Sequence, residues 1–131
     1  MAETSAGEAL AAAALAALAG VTGLNGAYDG APVKASLPYA MVELGPESDW
    51  SWKGGAGREL RFAVTIRDAG EKPARLRRLM ASAEAALLAM SGAASGWRIV
   101  NVMIARVRTG QKRAGDWAAT IEARVRMERL G

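Results

Sequence analysis

The chain has 131 residues, 51% of them hydrophobic, with 17 Lys and Arg against 13 Asp and Glu for a formal net charge of +4; this suits one compact domain over residues 1–131 with a single core. Cysteine and histidine are both absent, which excludes thiolate chemistry, disulfide staples, Cys/His zinc sites and any Ser-His or Cys-His relay. A single Phe and two Tyr leave four Trp as the large aromatic anchors, so the core must rest on Leu, Ile, Val and Met.

The opening MAETSAGEALAAAALAALAG carries Glu3 and Glu8 where a signal peptide carries positive charge, and its apolar run is mostly alanine. No stretch reaches the roughly 18 apolar residues of a membrane span, so a soluble cytoplasmic chain without a membrane partner is expected. Ser5 and Glu8 have capping-box spacing and predict a helix from residue 6. Leu10, Ala14, Leu15 and Leu18 form its apolar stripe, and Gly20 is its stop. Residues 21–38 hold Asn25-Gly26, Asp29-Gly30, Pro32 and Pro38 and read as irregular and turn-rich.

YAMVEL, residues 39–44, reads as a short strand ended by Gly45-Pro46. Residues 59–68 alternate: Leu60, Phe62, Val64 and Ile66 face one way, Glu59, Arg61, Thr65 and Arg67 the other. Pro73 suits the first turn of a second helix, whose stripe is Leu76, Leu79, Met80, Ala83, Leu87 and Met90, with Gly92 beyond its last turn. Arg75, Arg77 and Arg78 are assigned to its solvated surface. WRIVNVMIARVR (97–108) and DWAATIEARVRM (116–127) then pair around the loop TGQKRAG, with Ala119, Ile121, Ala123, Val125 and Met127 on one face of the second strand. This order predicts an α+β domain: a mainly antiparallel sheet of about four strands, two helices packed on one face, and a long C-terminal β-hairpin.

Candidate sites are few. GGAG, residues 54–57, lacks the Lys-Ser/Thr of a phosphate loop and precedes a strand where such loops open a helix, so a flexible loop is the plainer reading. Trp50 and Trp52, two residues apart, point the same way in an extended segment. They could stack on a base or sugar, anchor an interface, or fill core. Glu47 and Asp49 share that segment, but no partner of tuned pKa is forced near them, and no cofactor or metal is implied. Arg61, Arg67, Arg124 and Arg126 define an Arg-rich sheet face. Lys112 and Arg113 sit at the hairpin tip, suited to phosphates or to an acidic partner surface.

The layout as a whole resembles the tail-completion or tail-terminator (head-to-tail joining) proteins of long-tailed bacteriophages and gene transfer agents. The resemblance rests on the alanine-rich first helix, GAYDGAPVKASLPYAMVELGPES, the glycine-bearing loop leading into RELRFAVTIRD, the helix ARLRRLMASAEAALLAM and WRIVNVMIARVRTGQKRAGDWAATIEARVRM. It spans nearly the whole chain and contains no catalytic motif. It implies a non-enzymatic virion protein at the head-proximal end of the tail, assembled in the host cytoplasm as a homo-oligomeric ring, usually a hexamer. Such a ring caps the tail tube protein, ends tube polymerisation and joins a head-tail connector or stopper protein, with DNA passing through the lumen without sequence specificity. On that reading Glu47, Asp49, Trp50, Trp52, Lys53 and Arg58, within residues 46–58, lie at a subunit or ring-to-ring contact. The alternatives are a small basic nucleic-acid-binding module using the Arg-rich face and the basic hairpin loop, and, ranked last, a small enzyme or ligand-binding domain.

Overall fold

Residues 4–131 are described by the computed structural model; Glu3, used above in the signal-peptide argument, lies outside them. Helix α1 (Ala6–Ala19) starts where the capping spacing puts it. Ser5 is extended and its Oγ accepts the Glu8 N–H at 3.1 Å, satisfying one of the donors that a helix start leaves open. Gly20 closes the helix in a right-handed conformation, φ −83°, so the stop does not rely on a left-handed glycine.

The strands are β1 (Ala27–Asp29), β2 (Tyr39–Asp49), β3 (Gly57–Ala69), β4 (Ala93–Ala94), β5 (Trp97–Arg113) and β6 (Asp116–Arg129), with helix α2 (Ala74–Leu88) between β3 and β4. They form one six-stranded sheet in the order β1-β2-β3-β6-β5-β4. Every neighbouring pair is antiparallel except β1 and β2, which run parallel. The expected α+β domain with a four-stranded antiparallel sheet is therefore corrected: the chain is mostly sheet, and the sheet is mixed. β1 escaped sequence reading because Ala27-Tyr28-Asp29, between Gly26 and Gly30, is too short to show alternation. It is held by the Ala40 N–H on the Gly26 carbonyl at 3.0 Å and the Gly30 N–H on the Val42 carbonyl at 2.8 Å.

β2 also runs further than its expected end. Gly45-Pro46 does not stop the strand but makes a bulge: Leu44 is opposite Phe62, and the next pair is Glu47 with Leu60. Proline is tolerated here because β1 covers only Ala40 to Val42, leaving the rest of β2 an edge where no neighbour needs its missing N–H. At the other end of the sheet, β5 extends through Arg113, so the expected loop TGQKRAG shrinks to the turn Ala114-Gly115, with Gly115 at φ +79°.

Alternation buries one sheet face. Val42 in β2, Leu60, Phe62, Val64 and Ile66 in β3, and Ile121 and Val125 in β6 meet Leu10 and Leu18 of α1 and Leu76 and Leu87 of α2. β5 reaches that face by a different route. Its apolar residues Ile99, Val102, Ile104 and Val107 are spaced three, two and three apart, which a regular strand would scatter over both faces. Register shifts between Ile99 and Asn101 and between Ile104 and Arg106 absorb the extra residues, so all four stand opposite the inward residues Met127, Val125, Ala123 and Ile121 of β6. Trp97 closes the far end of this core, and its indole N–H donates to the Thr4 carbonyl at 2.9 Å.

Pro73 precedes α2 and offers no side-chain cap; the helix start is held instead from the end of β3. Arg75 is exposed, as expected, but it is also tied to the end of β3. Its Nε donates to Asp68 Oδ2 at 2.8 Å and its Nη2 to Asp68 Oδ1 at 2.5 Å, while the Ala69 N–H adds a bond to Oδ1 at 2.8 Å. Asp68 is 3% exposed, on the inward side of β3. A carboxylate there is costly unless paired, and the Arg75 hydrogen bonds outweigh burial in holding it below the usual carboxylate range. A folded pKa lowered in this way contributes stability above the unfolded value of about 3.9, and that stability is lost as pH falls through the folded value. The urea midpoint should therefore drop on acidification below about pH 4. In Arg75→Met the buried carboxylate keeps one donor, so the midpoint should be lower at about pH 7 and recover on mild acidification, the opposite sign to the parent. An unchanged midpoint at neutral pH would show that this pair does not anchor α2.

Candidate functional site

Both helices pack on one face of the sheet, which leaves the opposite face of β3, β6 and β5 open. The structure places Arg61, Arg67, Arg124 and Arg126 together on that open face, but not as a bare cationic surface. Arg126 Nε lies 3.0 Å from Glu59 Oε1 and Arg124 Nε 3.7 Å from the same oxygen. Arg67 Nη2 donates to Asp116 Oδ1 at 2.8 Å, and Arg106 Nε to Glu122 Oε2 at 2.5 Å. These donors hold the Asp116 and Glu122 carboxyls below their ordinary range. Thr65 and Thr120, opposite one another, share a hydrogen bond at 3.1 Å.

Arg61 stands apart. It is exposed, and among the described residues no carboxylate lies within ion-pair reach of it. Directly across the strand pair is Arg124, whose buried Nε has no hydrogen-bond partner. Like charges directly opposite in a sheet are destabilising. A hollow of about 420 Å³ opens beside Arg61, lined also by Glu43, Gly45, Pro46, Arg106 and Glu122.

The segment 46–58 is an ordered hairpin end rather than the flexible loop expected. The Trp50 N–H bonds the Gly57 carbonyl at 2.9 Å, and Trp52 and Gly55 exchange both backbone bonds at 3.0 Å around Lys53-Gly54. Gly54 takes φ +99° to close that turn. Gly57 is required for a different reason: a Cβ on it would lie 2.6 Å from the Trp50 carbonyl oxygen. Trp50 and Trp52 sit edge to face at 5.7 Å, and the Arg126 guanidinium lies 5.2 Å from the Trp50 ring centre. The tryptophans thus continue the open face and stand apart from the core, with Trp52 47% exposed. Glu47 and Arg58 pair at 2.8 Å, and Asp49 Oδ1 accepts the Ser51 hydroxyl at 2.7 Å, which lowers the Asp49 pKa. The structure gathers Glu47, Asp49, Trp50, Trp52, Lys53 and Arg58 at one end of the sheet.

Lys112 and Arg113 lie at the opposite end, at the tip of the β5–β6 hairpin. Lys112 falls in a register shift and is exposed; Arg113 is 84% exposed and 3.7 Å from Asp116. The two predicted contact regions therefore do not meet. Sequence reading missed the Asp68–Arg75 pair and the role of Asp116. An inward position in a β3 pattern otherwise filled by apolar residues, occupied by Asp68, was the available signal.

Asp49, Asp68, Asp116 and Glu122 are all shifted toward the ionised form, where a general acid needs the opposite shift. No His, Cys, Asp and Glu grouping among the described residues has the arrangement of a metal site, and no helix is long and apolar enough to cross a membrane. Two outcomes follow. Arg61→Glu should stabilise the isolated chain by about 0.2–1 kcal/mol by turning a like-charge pair into an opposite one, read as a higher thermal midpoint; a lower midpoint would mean Arg61 is needed for folding. Gly57→Ala should lower the midpoint more than Gly54→Ala in spite of the positive φ of Gly54, because its Cβ meets backbone rather than open space; the reverse order would contradict the packing of Trp50 on β3.

Comparison with known proteins bears on this arrangement. The family model described as tail completion protein gp17 matches residues 8–128. Among solved structures, a chain of the virion of a native gene transfer agent particle is 27% identical and superposes with a TM-score of 0.63, over 87% of this chain and 84% of that one. The curated proteins give no match. A family match over most of the length, together with a structural likeness to a virion chain, assigns a structural role in a phage-like tail: the chain belongs to the tail completion protein gp17 family.

Proposed function

We propose that the protein is a ring subunit, one of six, that caps the tail tube at its head-proximal end, ends tube polymerisation and joins the tail to a head-tail connector or stopper protein. DNA passes through the ring lumen without sequence specificity, and the ring assembles in the host cytoplasm before entering the virion. The protein acts through interfaces and not through catalysis. The observation that carries this reading is the family match over residues 8–128 on a chain whose sheet has one face covered and the other lined with arginines and exposed tryptophan. Trp and Arg are the residues that most often anchor interfaces. The hairpin end at 46–58, with Trp50, Trp52, Lys53 and Arg58, is the subunit or ring-to-ring contact.

A second reading, binding to nucleic acid, is favoured by one feature only. Arg108 and Lys112 on the β5–β6 hairpin have no carboxylate within ion-pair reach among the described residues, whereas Arg67, Arg124 and Arg126 of the sheet face are already matched by Asp116 and Glu59. The hairpin, not the sheet face, is the part suited to phosphate contact.

Light scattering after size exclusion distinguishes these readings. The ring reading expects a defined oligomer, alone or on addition of tube protein, and a strict monomer under both conditions overturns it. Phosphate contact expects log affinity for duplex DNA to fall steeply with log salt, and Lys112→Ala with Arg113→Ala should reduce that slope by about two. A slope unchanged in the variant removes the hairpin from DNA contact.

A further inference from the structure

The sheet ends in two open edges of opposite charge. Among the described residues, no strand lies beside β2 beyond Val42; its free edge, residues 43–49, reads ELGPESD and contains Glu43, Glu47 and Asp49 with no base. Beyond Ile99, whose N–H bonds the Gly92 carbonyl at 3.1 Å, none of the described strands lies beside β5. Its free edge, residues 100–113, contains Arg106, Arg108, Lys112 and Arg113 with no acid. Part of this charge is used within the chain: Glu47 pairs with Arg58, Arg106 with Glu122, Arg113 with Asp116. Glu43 and Asp49 on one edge, and Arg108 and Lys112 on the other, have no such ion pair among the described residues. Exposed Val100, Met103 and Val107 lie along the β5 edge, and Leu44 along the β2 edge.

Open edges of this length template pairing with another chain unless they are blunted. Bulges interrupt β5 at Val100, Ala105 and Lys112, leaving residues 106–111 regular. The sheet order sets β2 and β5 at opposite sides, so one copy can offer its β5 edge to the β2 edge of a second, which is the heterologous contact that builds rings. The open stretches are also diagonal. Residues 43–49 lie at the end of the sheet where β3 begins, and residues 106–113 at the end where β3 finishes. Continuing a sheet around a closed ring requires strands to tilt with a fixed stagger, and diagonal edges supply a stagger in one sense at every joint.

We infer that a second copy of this chain occupies each edge: the basic β5 edge over residues 106–111 pairs by main-chain hydrogen bonds with the acidic β2 edge over residues 43–49 of the next subunit. This rests on the ring reading above and specifies its subunit joint. The charges fix which edge meets which, since β5 against β5 or β2 against β2 sets like charges side by side.

A charge-swap experiment tests it. One variant carries Arg108→Glu with Lys112→Glu, making both edges acidic; the other carries Glu43→Lys with Asp49→Lys, making both basic. All four positions are exposed, and circular dichroism with urea midpoints within error of the parent checks folding. Each variant alone should require about tenfold or more higher concentration to assemble than the parent, and an equimolar mixture should assemble like the parent, because every joint in an alternating ring is again opposite in charge. Two variants that assemble normally alone, or a mixture that stays as dissociated as its parts, overturn the edge pairing while leaving the ring standing. A parent chain that is monomeric with and without tube protein overturns both. Should either variant fail the folding check, single cysteines at Ser48 and Thr109 in this cysteine-free chain replace it. Intersubunit disulfide only in the Ser48→Cys/Thr109→Cys double variant, or on mixing the two singles, supports the joint, and its absence from assembled rings overturns it.

Discussion

Two helices can hide one face of a six-stranded sheet and no more, and that constraint organises the molecule. The inward side chains of β2, β3 and β6 alternate almost without exception, because a slip of one residue would turn Phe62, Ile66 and Ile121 out to water. β5 keeps the same rule against its own sequence by bulging at Val100 and Ala105. Everything left over, the arginines, the threonine pair and the tryptophans at the hairpin end, is displayed on the other face. What stands there is an exposed, patterned surface.

The charges on that surface are mostly spoken for. Glu59 serves two arginines, Asp116 serves Arg67, and Glu122 serves Arg106. A face that looks like bare cations as a string of letters is largely ion-paired once cross-strand neighbours are known, because opposite residues in a sheet are distant in sequence. Exposed ion pairs of this kind contribute little to stability, and their larger effect is to reserve free charge for a few places: Arg61 opposite Arg124, and the two sheet edges.

Much of the fold could be read from the chain. The capping box at Ser5, the alternation of β3 and β6 and the stripe of α2 each carry a period long enough to see. What could not be read was short or non-local. β1 is defined by hydrogen bonds to β2 and not by its own three residues; β2 passes through Gly45-Pro46 because its edge has no neighbour there; Arg75 points at Asp68 because the end of β3 lies under the start of α2. The candidate site divides in the same way. The alternating arginines were legible as a face, and the grouping of Trp50 with Trp52 followed from their spacing. Their packing against Arg126 depends on β6, which arrives far later in the sequence. The family resemblance survived these errors because it rests on the order of elements rather than on strand count.

Pro46 gives the bulge in β2 a further meaning. A backbone laid along that edge finds donors and acceptors at intervals, but at Pro46 it finds no amide hydrogen. A partner strand shifted along the edge would carry its own carbonyl onto this blank and lose a bond. In the proposed joint the interruption would mark one alignment in a contact whose backbone groups otherwise look alike at every second residue. Placement along the edge would then be set by a missing atom rather than by an added side chain.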